Sequence, residues 1–150
     1  YEVIVKTTKD FWHQNLDNLG MSLFHRDERD AVEHTIPTPP GFMFIGDQTY
    51  GRWVNHPSGS KVWSFHRAYK NFPKMFFWGE DFLPTYHFYQ MGLISLSMNA
   101  PYIGNNNEFG TNGRITSSQI MRGQYEYIEA PHVKEYLAKY ISIPKIDNGE

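Results

Sequence analysis

The sequence predicts an α+β fold: a single compact domain, residues 1–150, with short antiparallel strands and about three helices. Three observations support this class. Strand-like and helix-like segments follow each other without the regular alternation of a parallel α/β protein. A chain of 150 residues is long enough for one core but short for two. The aromatic fraction, 17%, supplies large side chains for that core.

The first part of the chain holds a strand pattern, a helix pattern and a charged run. Residues 1–8 alternate and are rich in β-branched side chains, which predicts a strand. A helix is expected to begin at Asp10 and to end at Gly20, because apolar residues between them recur at helical spacing. Residues 25–34 are almost wholly charged and are expected to form either a solvated helical face or an exposed loop.

The proline-rich segment 36–41 is expected to be an internal linker between two structural halves, because its prolines disfavour helix. Two short strands are predicted after it, at 42–46 and 49–54. A turn at Gly46 and Asp47 would join them.

The residues after a second turn at 55–60 fit a helix. Apolar residues from Val62 to Phe72 fall on one helical face, and Pro73 is expected to end that helix. Segment 84–99 is compatible both with a helix and with a strand.

The last third of the chain begins with an Asn- and Gly-rich segment, 104–113, which is predicted to be a loop. Strands are expected at 114–121 and 124–129. Pro131 is expected to begin a further helix. Its apolar stripe would consist of Val133, Tyr136, Leu137, Tyr140 and Ile141.

Composition argues against several classes of function. Without cysteine the chain has no disulfide, no thiolate metal ligand and no cysteine nucleophile. A net charge of -2 with scattered basic residues argues against nucleic-acid binding. No apolar run approaches the roughly 20 residues that a membrane span needs. Asn, Tyr and Gly richness without cysteine favours an extracytoplasmic domain, periplasmic or secreted.

Tyr50, Arg52 and Trp53 are the first candidate binding residues. In one interpretation the aromatic faces and the guanidinium form a ligand platform. In the other, the surrounding glycines shape a hairpin whose aromatics pack into the core. The glycine spacing matches no phosphate-binding motif.

The loop residues Asn105, Asn106 and Asn107 are the second candidate, because amide side chains suit polar ligand contacts. The alternative is an ordinary connection. A calcium site is not expected, because Glu108 is the only carboxylate in the loop.

For catalysis the best candidate is His66 as a general base with Glu80 or Asp81 as its partner. His66 lies on the apolar face of the predicted helix, which is equally the position of a core histidine. Adjacent carboxylates such as Glu80 and Asp81 diverge in regular structure. No nucleophile-elbow sequence occurs.

Seven histidines raise the question of metal binding. The only compact set of nitrogen and oxygen ligands consists of His25, Asp27, Glu28, Asp30 and His34. On a helix these residues would spread around the circumference and would not converge on one ion. No metal and no other cofactor is therefore expected.

The sequence thus favours a non-catalytic binding or interaction domain that presents aromatic and Asn/Gly-rich surfaces. A glycan, a cell-envelope component and a protein partner are equally compatible with it. The first alternative is a small hydrolase using a histidine base and a carboxylate. The second is a structural subunit whose exposed aromatics are buried in a larger assembly.

Overall fold

The computed structural model describes residues 6–26 and 32–121. These ranges contain four α-helices and two antiparallel sheets of two strands each, so the expected α+β class is confirmed. The helices are α1 (Lys9–Gln14), α2 (Phe72–Met75), α3 (Tyr86–Ser97) and α4 (Arg114–Met121). The strands are β1 (His25–Arg26), β2 (Glu33–His34), β3 (Gly51–Asn55) and β4 (Lys61–Phe65). Residues 1–5 of the first predicted strand, the strand at 124–129 and the helix from Pro131 lie outside the described residues.

The first helix is shorter than the sequence pattern suggests. Thr8 caps it, since its Oγ1 accepts a hydrogen bond from the Phe11 amide at 3.2 Å. The helix ends at Gln14, and turns carry the chain on to Gly20, which has a φ of 75°. Gly20 therefore closes the turns that follow α1 and not the helix itself.

The charged segment 25–34 begins and ends in paired strands, so a helix over the described residues at its two ends is wrong, while residues 27–31 lie outside the described residues. β1 and β2 run antiparallel with His25 opposite His34. Two backbone hydrogen bonds between Ser22 and Thr38, of 2.8 and 3.0 Å, continue the pairing beyond the strands. A run of charged residues has no periodic pattern of apolar side chains, so the pairing of β1 with β2 could not be predicted from the sequence.

β3 and β4 form a hairpin in which Trp53 lies opposite Trp63. The strand expected at 49–54 is confirmed as β3, but its partner is β4 and not 42–46. Residues Phe42–Phe44 form a 3₁₀ turn instead. A side chain at Gly46, where φ is 84°, would approach the Tyr89 ring to 2.7 Å, so the chain turns there on a glycine.

The helix expected from Val62 to Phe72 is wrong. That stretch forms β4, then a 3₁₀ turn at Arg67–Tyr69, and then enters α2. Pro73 lies in the first turn of α2 instead of ending a helix, because its missing N–H costs nothing there. The spacing of these residues is compatible with a helix and with a strand, and pairing with β3 selects the strand.

α3 resolves the ambiguity of segment 84–99 in favour of a helix. Thr85 caps it through a 3.1 Å bond from the Phe88 amide to the threonine hydroxyl. Phe88 and Gly92 are the buried residues of α3. A Cβ at Gly92 would overlap the ring of Phe42, so glycine permits the close approach.

The strand expected at 114–121 is wrong, because these residues form α4. The first amides of a helix have no acceptor within the helix, and here carbonyl groups of the preceding loop accept their hydrogen bonds. The amide of Arg114 donates to the Asn107 carbonyl at 3.0 Å, and the amide of Ile115 donates to the Glu108 carbonyl at 2.8 Å. The loop predicted at 104–113 is confirmed.

The core is built mainly from aromatic rings in edge-to-face contact, such as Phe82 and Phe109 at 5.5 Å and 90°. Its buried members are Phe42, Ile45, Trp63, Trp78, Phe82, Phe88, Tyr102, Phe109 and Ile115. The proline-rich segment 36–41 is packed against this core, since Thr38 and Pro39 are buried. Among the helices of the described ranges, none has the length and apolar content to cross a bilayer.

Candidate functional site

Tyr50 lies half-buried at the start of the hairpin. Its ring meets Phe44 edge-on at 4.8 Å and 85°, and Tyr69 at 4.9 Å. The ring is tilted at 6.0 Å from Phe72. The Tyr50 ring is therefore engaged with other rings, although part of it reaches solvent.

Trp53 is likewise half-buried. It meets Trp63 across the hairpin at 5.2 Å and 69°, and it meets Tyr86 at 5.0 Å and 86°. Tyr89 lies 5.5 Å away. Arg52 is exposed on the same strand. Side chains alternate between the two faces of a strand, so Arg52 and Trp53 point away from each other.

The three asparagines of the loop are exposed, and the loop folds around a buried carboxylate. Glu108 is only 3% exposed, and its Oε2 accepts a 3.1 Å bond from the Asn106 amide. Asn107 adopts a φ of 57°, which asparagine tolerates. Gly104 has a φ of 98°, and a Cβ there would overlap Glu108 Oε2.

The asparagine loop is tied to the segment after α1. The Thr111 amide donates to the Asp17 carbonyl at 3.1 Å, and the Leu19 amide donates to Thr111 Oγ1 at 3.2 Å. Trp53 instead contacts α3. Across residues 6–26 and 32–121, no hydrogen bond or ring contact joins Asn105, Asn106 or Asn107 to Trp53.

Tyr102 lies near the buried carboxylate. Its hydroxyl donates to the Phe88 carbonyl at 2.7 Å. Burial raises the pKa of Tyr102 well above the usual range for a phenol, and the negative charge of Glu108 raises it further; a bond from the Asn105 backbone opposes them. The phenol is therefore protonated at physiological pH.

The histidine and the carboxylates expected for catalysis do not share a site. His66 is exposed beyond the end of β4, and its Nε2 lies 3.0 Å from the Gln48 carbonyl oxygen. The helix on which its position was predicted is not formed. Glu80 and Asp81 line a cleft to which His66 does not contribute. Within the part of the chain that the structure describes, His66 has no carboxylate partner.

That cleft has a volume of about 720 Å³ and lies between segment 70–82 and α4. Three cationic side chains line it, Lys70 and Lys74 on one side and Arg114 on the other, together with the carboxylates of Glu80 and Asp81. All five are exposed. None of them forms an ion pair, as far as the described ranges are concerned.

The apolar part of the cleft wall comes from the core. Trp78 and Phe82 line the cleft but are buried, so little of either ring is available to a ligand. Asn71 and Ser118 add hydrogen-bonding groups. The cleft can therefore hold a ligand chiefly by charge and hydrogen bonding.

Sequence reasoning selected the two carboxylates of this cleft but missed its cations. Lys70 and Lys74 are spaced as i and i+4, which is a signal for one helical face. Arg114 lies on α4, far away in the sequence. The sequence therefore carried no sign that Arg114 faces the two lysines.

The residues of the predicted metal cluster lie on paired strands where they are described. His25 and His34 face each other across β1 and β2, while Asp27, Glu28 and Asp30 lie outside the described residues. In the described ranges no three His, Asp or Glu side chains converge on a point that could hold a metal ion.

Comparison with known proteins identifies no relative. No protein-family model, no curated protein sequence and no solved structure matches the chain.

Proposed function

We propose that this chain is a non-catalytic binding domain whose ligand occupies the cleft between segment 70–82 and α4. One observation carries the proposal: a cleft of about 720 Å³ is lined by five charged side chains without ion-pair partners in the described ranges. Its volume lies within the roughly 300–1,000 Å³ of most ligand sites. Unpaired charges that face one cleft can be neutralised by a ligand of complementary charge.

The charge balance favours an anionic ligand. Lys70, Lys74 and Arg114 outnumber Glu80 and Asp81 by one, and the cations come from both walls of the cleft. A carboxylate group placed between the walls would interact with lysine from one side and arginine from the other. The two acidic side chains would disfavour a dense polyanion such as nucleic acid.

An acidic glycan and an acidic stretch of a protein both supply such carboxylates. The glycan would be met in an extracytoplasmic setting, which remains our proposal for the location. Arg52 and the partly exposed rings of Tyr50 and Trp53, with Asn105, Asn106 and Asn107, are proposed as additional contact surfaces for a large partner.

The test is a thermal melt followed by intrinsic tryptophan fluorescence, in low-salt buffer. The panel contains a uronic-acid oligosaccharide, a neutral oligosaccharide of equal length, an oligoglutamate and an oligolysine. A ligand that binds only the folded state raises Tm by mass action. We expect one of the two anionic probes to raise Tm and the neutral and cationic probes to leave it unchanged.

The variant Lys70→Glu/Lys74→Glu should lose this shift, because both lysine charges are reversed. Lys61→Glu is the matched control, since Lys61 is exposed on β4 and does not line the cleft. A shift that survives in the double variant would place the ligand elsewhere. A shift with oligolysine alone would contradict the choice of an anionic ligand.

α3 supplies an observation that favours a second candidate, a structural subunit that associates with itself. On one side of α3 and at the residue after it, five apolar side chains are exposed among the polar His87, Gln90 and Ser97. They are Tyr86, Met91, Leu93, Ile94 and Met98. Large groups of exposed apolar side chains often mark a contact surface. Because α3 contains no Asp, Glu, Lys or Arg, two copies related by a twofold axis would meet there without charge repulsion. The occupant that we propose for this face is therefore a second copy.

Sedimentation velocity over a range of protein concentrations tests self-association. We expect a dimer that dissociates on dilution, and Ile94→Glu should shift it to monomer by placing a charge at the contact. Lys61→Glu again serves as the control. A wild-type chain that stays monomeric at the highest concentration would contradict this candidate and leave the cleft proposal untouched.

A further inference from the structure

His25 and His34 form a facing pair that neither proposal above uses. They are directly opposite each other in the antiparallel pairing of β1 and β2, so both side chains leave the sheet on the same face. Their ring centroids are 5.9 Å apart and the ring planes are inclined by 37°. Both residues are half-buried.

This separation suits two imidazoles that bind one metal ion. A zinc–nitrogen bond of about 2.0–2.1 Å places the ion about 3.2 Å from each ring centroid, so two ligating rings stand about 5–6 Å apart. Opposite positions on paired strands provide this spacing without any change of backbone.

A cavity of about 260 Å³ adjoins both rings. Polar residues are among those that line it, including Ser22, Thr38 and Asn99. The space can hold water molecules in the coordination positions that the two histidines leave open.

The two rings are held in place by their surroundings. His25 meets Phe44 edge-on at 6.4 Å and 81°. The backbone hydrogen bonds between Ser22 and Thr38 fix the strands on which the histidines lie. Less ordering is then required when an ion binds.

We propose that His25 and His34 form a two-histidine site for a divalent late transition metal, with water completing the coordination. Imidazole nitrogen suits Zn²⁺, Ni²⁺ and Cu²⁺ and is a poor ligand for Mg²⁺ or Ca²⁺. Bound metal would link strands of only two residues each, which backbone pairing alone holds weakly. Metal binding is therefore coupled to the stability of this part of the fold.

The experiment is a Zn²⁺ titration of the full chain without an affinity tag, followed by two-dimensional NMR of the imidazole protons. The chain has seven histidines. We expect the resonances of His25 and His34 to shift together with one-to-one stoichiometry, and EDTA to reverse the change. Mg²⁺ at the same concentration should shift neither.

The variants His25→Gln and His34→Gln should each abolish the stoichiometric shift of the histidine that remains. His56→Gln is the control, because His56 lies in the β3–β4 turn and does not line the cavity. Circular dichroism checks that each variant is folded, and an unfolded variant is replaced by the matching His→Asn change. Shifts confined to other histidines, or a His34→Gln variant that still binds with unchanged affinity, would overturn the proposal.

Discussion

The indole N–H of Trp78 donates to the Pro40 carbonyl at 2.6 Å, which ties the proline-rich segment to the aromatic core. Trp78 is only 2% exposed, whereas Pro40 is half-buried. We expect Trp78→Phe to lower the free energy of unfolding by about 0.5–1.5 kcal/mol from the lost hydrogen bond alone. Urea denaturation measures it. Trp12→Phe is the control, because Trp12 is 58% exposed on α1. Equal effects of the two variants would contradict the assigned role of this bond.

Replacing threonine by valine is expected to raise stability at Thr116 and to lower it at Thr85. Thr116 is 0% exposed, and its Oγ1 has no hydrogen-bond partner in the described part of the chain. Thr116→Val keeps the shape and removes the unsatisfied hydroxyl, so we expect a gain of about 1–3 kcal/mol in unfolding free energy. Thr85→Val removes the N-cap of α3 and should cost about 0.5–2 kcal/mol. Thermal melts of the two variants show whether each gains or loses stability. A loss of stability in Thr116→Val would show that the Thr116 hydroxyl has a hydrogen-bond partner.

Gly92→Ala sets two known effects against each other. Alanine favours a helix over glycine by roughly 0.5–1 kcal/mol. A Cβ at this position overlaps the Phe42 ring in the core, and overpacking typically costs about 1–3 kcal/mol. We therefore expect a lower Tm. Ser97→Ala, on the exposed end of the same helix, should change Tm little. A higher Tm for Gly92→Ala would mean that Phe42 and α3 move apart easily.

The raised pKa of Tyr102 predicts alkaline destabilisation. Below pH 10 the phenol is protonated in both states, because its pKa in the unfolded chain is the ordinary value of 10.0. Above that pH the unfolded chain loses the proton first, so the free energy of unfolding falls as pH rises. Absorbance titration of the ten tyrosines should find one that ionises only when the chain unfolds.

Glu108→Gln probes the electrostatic part of this effect. The substitution removes a charge that raises the pKa of Tyr102, so the tyrosine should ionise at lower pH than in the wild type, although still above the ordinary value because burial remains. Glu80→Gln removes an exposed charge in the cleft and serves as the control. An unchanged Tyr102 titration in Glu108→Gln would show that burial alone sets its pKa.

The parts of the fold that depend on local chemistry could be predicted. The Asn- and Gly-rich loop was predicted from its turn residues, strand β3 was predicted from its sequence, and α1 begins one residue before the expected Asp10. Strand β4 was expected as a helix and helix α4 was expected as a strand, and neither element could be predicted from the sequence. β4 is fixed by its partner β3, and α4 begins where the loop carbonyls of Asn107 and Glu108 accept its first amides.

For the candidate sites too, contacts between distant parts of the chain could not be predicted from the sequence. Glu80 and Asp81 were expected as partners of His66, but they line a cleft without it, which Arg114 reaches from a distant helix. His25 and His34 lie opposite each other on paired strands, whereas from the sequence they were considered on a helix that the described parts of this segment do not form. Convergence of side chains depends on the backbone path, and no periodicity in the sequence specifies that path.

The hydrogen bond between Leu19 and Thr111 joins residues that are 92 positions apart. During synthesis at about 5–20 residues per second, the segment after α1 waits several seconds for its partner to leave the ribosome. Contacts of such long sequence separation also slow folding in a finished chain, because a large loop must close first. The Leu19–Thr111 contact is therefore expected to form later in folding than the β3–β4 hairpin, whose paired residues lie much closer in the sequence.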